Sequence, residues 1–154
     1  MHLDNIKLRL SQNGWNDIGS GIYLGIGFDL VGSRRFLFTK WRVLVKTVPL
    51  LDRDVLLLWR SNFETLSKKS KSLIWGSCFL LCLLAEAVSD DLAREVHGDS
   101  FGFLGVLRLR GGGGNFLIAD QKNHQVYGKV PALPYDVHTY SKGVKEILSQ
   151  AMVE

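Results

Sequence analysis

The chain has 154 residues, of which 46% are apolar and 22% are charged, and its formal net charge is +4. This length predicts one domain with a core of its own, and this apolar content excludes an intrinsically disordered chain. The charge is uneven, since residues 1–72 contain 12 lysines and arginines against 6 acids, whereas residues 73–154 contain 7 against 9. A basic half is typical of a surface that binds phosphates or an acidic partner. It is also typical of an ordinary solvent-exposed surface with a small excess of positive charge.

The first part of the chain predicts two helices around a pair of strands. Apolar periodicity predicts a first helix, which Asp4 caps and Asn13-Gly14 ends, followed by a loop over 15–21. Two strands are predicted next, over 22–31 and 36–48, with a turn between them at 32–35. A second helix is predicted from Asp52 or Asp54 to about Lys69. The second strand alternates apolar and basic residues along one face, so that face is not a plain core face.

The second part predicts a buried segment followed by smaller elements. Residues 73–88 are too short for a membrane span and predict either a central strand covered on both faces or a core helix. After them, the pattern predicts a helix over 89–96, strands over 105–110, 115–121 and 125–130, a glycine hairpin tip at 111–114, and a final helix from Ser141. The predicted fold is a single α/β domain over 1–154, with a mixed central sheet flanked by helices in the order α-β-β-α-β-α-β-β-(β)-α.

Cys78 and Cys82 lie four residues apart in the apolar segment. On a strand they are about 13 Å apart, which is too far for a disulfide. We therefore expect buried free thiols, typical of a reducing compartment and hence of a cytoplasmic protein. Two cysteines and four scattered histidines do not complete a zinc site. The N-terminal residues carry charges inside their apolar pattern, which is not typical of a signal peptide.

An aspartate and a lysine lie on the two neighbouring strands predicted in the first half, Asp29 in GFDLVG and Lys46 in LVK. A metal-dependent nuclease needs at least two acids to bind Mg²⁺ and a lysine to orient the attacking water or stabilise developing charge. Over roughly residues 1–88 the chain resembles the restriction-endonuclease-like PD-(D/E)xK nucleases, which carry one acid on the first strand and acid-x-lysine on the next. Leu44 occupies the position of the second acid.

The resemblance implies two alternatives. If an acid from a neighbouring helix, such as Glu64 or Asp54, completes the site, Asp29 binds Mg²⁺ and Asp29 and Lys46 are catalytic. If none does, the resemblance implies a degenerate nuclease fold used for binding, with no cofactor. Apart from the resemblance, Asp29 can also be an ordinary strand acid that pairs with Arg42 or Lys46. We expect the second alternative, because the acid two residues before the lysine is missing.

Basic residues cluster around the same strands: Arg34, Arg35, Lys40, Arg42 and Lys46. Strand spacing places Lys40, Arg42 and Lys46 on one face, interleaved with aromatic and aliphatic residues. Such a face can bind nucleic acid through phosphates and stacking, form an interface between copies of the chain, or cover a helix with extended side chains.

The sequence therefore predicts an intracellular, non-catalytic binding or assembly domain that uses this basic strand face. Its expected partner is a second copy of the chain or another protein. An active Mg²⁺-dependent endonuclease and a nucleic-acid-binding module without catalysis are the alternatives.

Overall fold

The chain forms one mixed β-sheet with helices on both faces, seen in a computed structural model that describes residues 3–73, 77–96, 107–109, 112–132 and 135–153. The helices are α1 (Leu3–Gln12), α2 (Arg53–Leu73), α3 (Asp90–Val96) and α4 (Tyr135–Met152). The strands are β1 (Asn16–Tyr23), β2 (Ile26–Phe36), β3 (Thr39–Leu51), β4 (Ser77–Val88), β5 (Leu107–Leu109), β6 (Gly112–Asp120) and β7 (Gln125–Tyr127). The predicted α/β fold class with a mixed, helix-flanked sheet is confirmed.

The strands run in the order β1-β2-β3-β4-β6-β5, and β7 also pairs with β6. β1, β2 and β3 form an antiparallel meander, because short turns join them. The α2 crossover makes β4 parallel to β3, and β6 is parallel to β4. The sheet therefore consists of an antiparallel half, which carries most of the predicted site residues, and a parallel half.

β4 lies at the centre of the sheet. Residues 77–88 of the apolar segment therefore form a strand and not a helix. All residues from Cys78 to Ala85 are buried, because strands flank β4 on both sides and helices cover both faces. Leu80 and Cys82 face the core under α1 and α4, while Leu81 and Leu83 face the core under α2. A strand buried on both faces has no reason to alternate, which explains its continuous apolar sequence. Residues 74–76 of the predicted segment lie outside the described residues.

Both cysteines lie in β4 as free, buried thiols. Cys78 and Cys82 share the face under α1 and α4. Burial raises the pKa of the Cys82 thiol to about 12, so this thiol stays protonated at neutral pH.

Buried polar side chains join α4 to the sheet. The indole Nε1 of Trp41 on β3 donates a 3.0 Å hydrogen bond to Oδ2 of Asp136 in the first turn of α4. Nδ2 of Asn115 on β6 donates to Oγ of Ser141 at 2.9 Å and to the carbonyl oxygen of Lys129 at 2.8 Å. Because these groups are shielded from water, the bonds specify how α4 sits on the sheet.

The sequence interpretation misplaced the first hairpin. Residues 16–21, predicted as loop, belong to β1, and the predicted turn at 32–35 lies inside β2. A Cβ added at Gly32 would lie 3.0 Å from Cγ1 of Val43 and 3.1 Å from Cγ1 of Ile18. Gly32 therefore lets side chains of the flanking strands pack over β2, and it does not make a turn.

The glycine run was also misinterpreted as a hairpin tip. Gly112–Gly114 belong to β6 and pair with Ser77–Phe79, while Gly111 and residues 105–106 and 110 lie outside the described residues. A Cβ at Gly114 would lie 2.7 Å from Cζ of Phe79, so the glycine makes room for a buried ring. The last helix begins at Tyr135, six residues before the predicted start.

Candidate functional site at the β2–β3 hairpin

Asp29 lies where β2 separates from β3. The β2–β3 pairing begins only at Leu30, opposite Val45. The β1–β2 pairing shifts register between the pairs Gly19↔Val31 and Gly21↔Phe28, which places one extra residue on β2 at this point. An extra residue bends a strand and redirects its side chains. The Asp29 carboxylate is directed toward Thr47 on β3, and its Oδ2 accepts bonds from the Thr47 backbone N–H at 2.7 Å and hydroxyl at 2.8 Å.

The same bend folds the tip of the β1–β2 hairpin over the α2 face of the sheet. Tyr23, Leu24 and Ile26 pack against the core on that face. Nζ of Lys69, near the end of α2, donates a 3.2 Å hydrogen bond to the carbonyl oxygen of Leu24. The hairpin tip therefore covers part of the face on which the basic residues of β3 lie.

Several groups set the pKa of Asp29. Burial by itself raises it, but the two hydrogen bonds from Thr47 and the positive charge of Lys46 outweigh burial and hold the pKa below its ordinary value. Lys46 is half-buried on β3, the strand that pairs with β2. The structure therefore places Asp29 and Lys46 close enough for their charges to interact, and it also satisfies Asp29 from Thr47.

The position of the missing acid lies in the core. Leu44 is fully buried under α2, among the apolar side chains of that face. A carboxylate at this position would need a partner that the surrounding apolar side chains do not offer. Leu44 is therefore a core residue. Its spacing from Lys46 in the sequence does not reveal this burial.

The two acids considered as replacements lie elsewhere. Glu64 is exposed on α2, with its Oε1 3.9 Å from Nε of Arg60. Asp54 lies in the first turn of α2 and lines a groove of about 570 Å³ with Asp91 and Arg94, at the carboxyl ends of β3 and β4. Within the described residues, no cluster of three or more histidine, cysteine or acidic side chains is arranged to hold a metal ion.

Arg34 lies on the opposite face of the sheet from the other cations. Its guanidinium carbon lies 4.3 Å from the centre of the Tyr140 ring and 5.4 Å from that of Trp15, and its Nη1 donates a 2.7 Å bond to the carbonyl oxygen of Asn13. Gly14 has a φ of +90°, and a Cβ there would lie 3.1 Å from Nη2 of Arg34. Glycine is thus required both to end α1 and to admit the guanidinium. Arg34 therefore fastens the end of α1 to α4.

Arg42 shares the α2 face with Lys40 and Lys46 but is half-buried. Its guanidinium carbon lies 5.9 Å from the centre of the Tyr23 ring, on the folded-over hairpin tip. Its Nη1 is fully covered and has no hydrogen-bond acceptor among the residues that the structure describes. Arg42 is thus not freely presented to a partner.

Arg35 and Lys40 are the exposed members of the basic set. They are register partners on β2 and β3, so their side chains extend from the same face side by side. The two-residue turn that joins these strands is Leu37-Phe38, and these side chains are 77% and 84% exposed. We call the surface made by Arg35, Leu37, Phe38 and Lys40 the hairpin end. It combines two cations with two exposed apolar side chains.

The sequence pattern predicted both cations of the hairpin end and placed Phe38 beside Lys40 on the same strand face, but it assigned Leu37 to the opposite face and did not predict the turn. The pattern placed Leu37 and Phe38 inside a strand, because neither residue is typical of a turn. Leu37 nevertheless has a φ of +52°, which is rare for a residue with a branched side chain.

Comparison with protein-family models, with curated proteins and with solved structures gives no match. Among the described helices, none has the length and apolar character needed to cross a membrane.

Proposed function

We propose that the protein is a non-catalytic binding domain that holds a nucleic acid by its phosphates at the hairpin end. The observation that carries the proposal is the exposed cross-strand pair of Arg35 and Lys40 beside the exposed ring of Phe38. Exposed arginine and lysine side chains bind phosphate oxygens by charge, and a neighbouring apolar tip meets sugars or bases. The surplus of six positive charges in residues 1–72 adds a long-range attraction for a polyanion.

Two features support a role without catalysis. Thr47 already donates two hydrogen bonds to Asp29, and buried Leu44 occupies the position of the second acid. A divalent ion in a nuclease needs several oxygen ligands that are free to turn toward it. The order helix, three-strand meander, helix and parallel strand, with Asp29 and Lys46 on neighbouring strands, supports the view that the fold is a degenerate relative of the restriction-endonuclease-like nucleases.

The test is a titration of a short fluorescein-labelled DNA with the whole chain, followed by fluorescence anisotropy at about 50 and about 200 mM salt. The double variant Arg35→Ala/Lys40→Ala should bind more weakly and with a flatter dependence on salt, since two phosphate contacts are lost. The matched control is Lys122→Ala/Lys129→Ala, which removes the same charge from two exposed positions away from the β2–β3 turn. If both double variants lose affinity equally, binding follows net charge alone and the proposal of a defined surface is wrong.

An active Mg²⁺-dependent nuclease is the second candidate, because the charge of Lys46 acts on Asp29. It predicts cleavage of the same DNA when Mg²⁺ is added, with loss of cleavage in Asp29→Ala and in Lys46→Ala. Cleavage that requires Mg²⁺ and both side chains would replace the non-catalytic proposal. Unchanged, full-length DNA after prolonged incubation with Mg²⁺ would support it.

A further inference from the structure

We infer that the nucleic acid is single-stranded and that its bases stack on two exposed aromatic rings, Phe38 and Tyr135. This inference rests on the proposed function and adds to it the form of the nucleic acid and the residues that recognise it. Proteins that hold single strands combine cations along the backbone with aromatic side chains that stack on the bases. The hairpin end supplies both types of group.

Phe38 is presented by a strained turn. Phe38 is 84% exposed and so gains little energy from packing, and the preceding Leu37 adopts a φ of +52° that favours glycine. Neither feature helps the chain to fold. Backbone strain of this kind tends to collect where a segment has another role, and an exposed ring held out by a tight turn is suited to meet a flat partner.

Tyr135 brings a second ring to the same end of the molecule. Its side chain is 66% exposed, and its ring centre lies 5.6 Å from that of Phe36 with an interplanar angle of 37°. Phe36 pairs with Thr39 and so closes the turn that carries Phe38. Packing on Phe36 fixes the Tyr135 ring while one side stays open to solvent. Phe36 lies on the α4 face of the sheet, whereas Arg35 and Lys40 extend from the α2 face. The turn that carries Phe38 therefore has the Tyr135 ring on one side and the two cations on the other.

The shape of the hairpin favours a single strand over a duplex. The turn consists of only two residues beyond the pair Phe36↔Thr39, and β3 is already paired with β4 from Lys40 onward. A two-stranded ribbon reads the base edges of a duplex by entering its groove. The β2–β3 turn projects too little from the sheet to enter a groove in this way. A single strand, in contrast, exposes its bases to a ring at the surface.

The experiment compares a short mixed-sequence single-stranded DNA with its duplex and with a base-free DNA backbone of the same length, all by fluorescence anisotropy. Phe38→Ala/Tyr135→Ala should bind the single strand about fivefold or more weakly, without a change in salt dependence, because stacking is lost and no cation is removed. Phe38→Tyr should retain most of the affinity. The control Leu57→Ala/Leu58→Ala, which trims two exposed apolar side chains of α2, should bind as the parent does. Circular dichroism checks that each variant is folded.

The outcomes separate the two proposals. Equal binding of the single strand by the parent and by Phe38→Ala/Tyr135→Ala would overturn the stacking inference alone, provided that Arg35→Ala/Lys40→Ala still weakens binding. Tighter binding of the duplex, or equal binding of the base-free backbone, would also overturn the inference and leave the proposed function in place. Association with anionic lipid vesicles, without salt-sensitive binding of any DNA, would overturn both.

Discussion

At the scale of single residues, Asp29 shows how a carboxylate in a strand is stabilised as an anion. Two hydrogen bonds from Thr47 and the charge of Lys46 outweigh the effect of burial on its pKa. A carboxyl whose pKa is lower in the folded state than in the unfolded state stabilises the fold above its ordinary pKa of 3.8, and this contribution is lost as the pH falls through the folded-state pKa.

Thr47→Val should therefore raise the pKa of Asp29 toward its ordinary value, because the variant removes the hydroxyl donor and leaves the backbone N–H in place. The pKa is measured from the carboxyl carbon signal in a pH titration by NMR. Thr65→Val, on an exposed turn of α2, serves as the control and should leave the Asp29 titration unchanged. A titration of Asp29 that is the same in Thr47→Val as in the parent would contradict this account of its pKa.

Leu44 is fully buried in the core under α2. Leu44→Ala should lower the free energy of unfolding by about 2–5 kcal/mol through lost burial and a cavity. Leu44→Asp should lower it further, because an unpaired carboxylate enters an apolar core. Urea denaturation measures both, and Leu57→Asp at an exposed position of α2 is the control. A Leu44→Asp variant that is as stable as the parent would contradict this account of the position.

At the scale of elements, the β2–β3 turn combines strain with exposure. Leu37→Gly should raise the free energy of unfolding by about 1 kcal/mol, because relief of about 1–3 kcal/mol of strain exceeds the cost of about 0.5–1 kcal/mol for a more flexible unfolded chain. Leu37→Ala should give no such gain, since alanine keeps the Cβ that disfavours positive φ. Urea denaturation of the three chains provides the comparison. A destabilised Leu37→Gly would mean that the leucine side chain contributes to the fold despite its exposure.

At the scale of the whole molecule, α4 closes one face of the sheet through buried polar contacts. Trp41→Phe should cost about 1.5–3 kcal/mol, because Asp136 loses its buried indole donor. A double-mutant cycle with Asp136→Ala isolates the coupling between the two side chains, because alanine removes the acceptor that an asparagine oxygen would keep. We expect a coupling of about 1 kcal/mol or more, and strict additivity in urea denaturation would show that this bond does not fasten α4.

Features that depend on local chemistry could be predicted from the order of the amino acids alone. Strand periodicity and helix caps indicated the α/β class, and Asp52 does cap α2, through a 2.9 Å bond from the Val55 N–H to its Oδ1. The order of elements along the chain brought Asp29 and Lys46 to neighbouring strands. These signals survive without a structure because alternation and caps act within a few residues of the chain.

Which of the basic side chains meet solvent depends on how distant segments of the chain pack together. Alternation told which face of its own strand each cation occupies, but not which element covers that face. α1 and α4 enclose Arg34, the folded-over β1–β2 hairpin covers Arg42, and the turn beyond them leaves Arg35 and Lys40 exposed. Burial depends on contacts between segments far apart in the chain, and residue spacing carries no record of them.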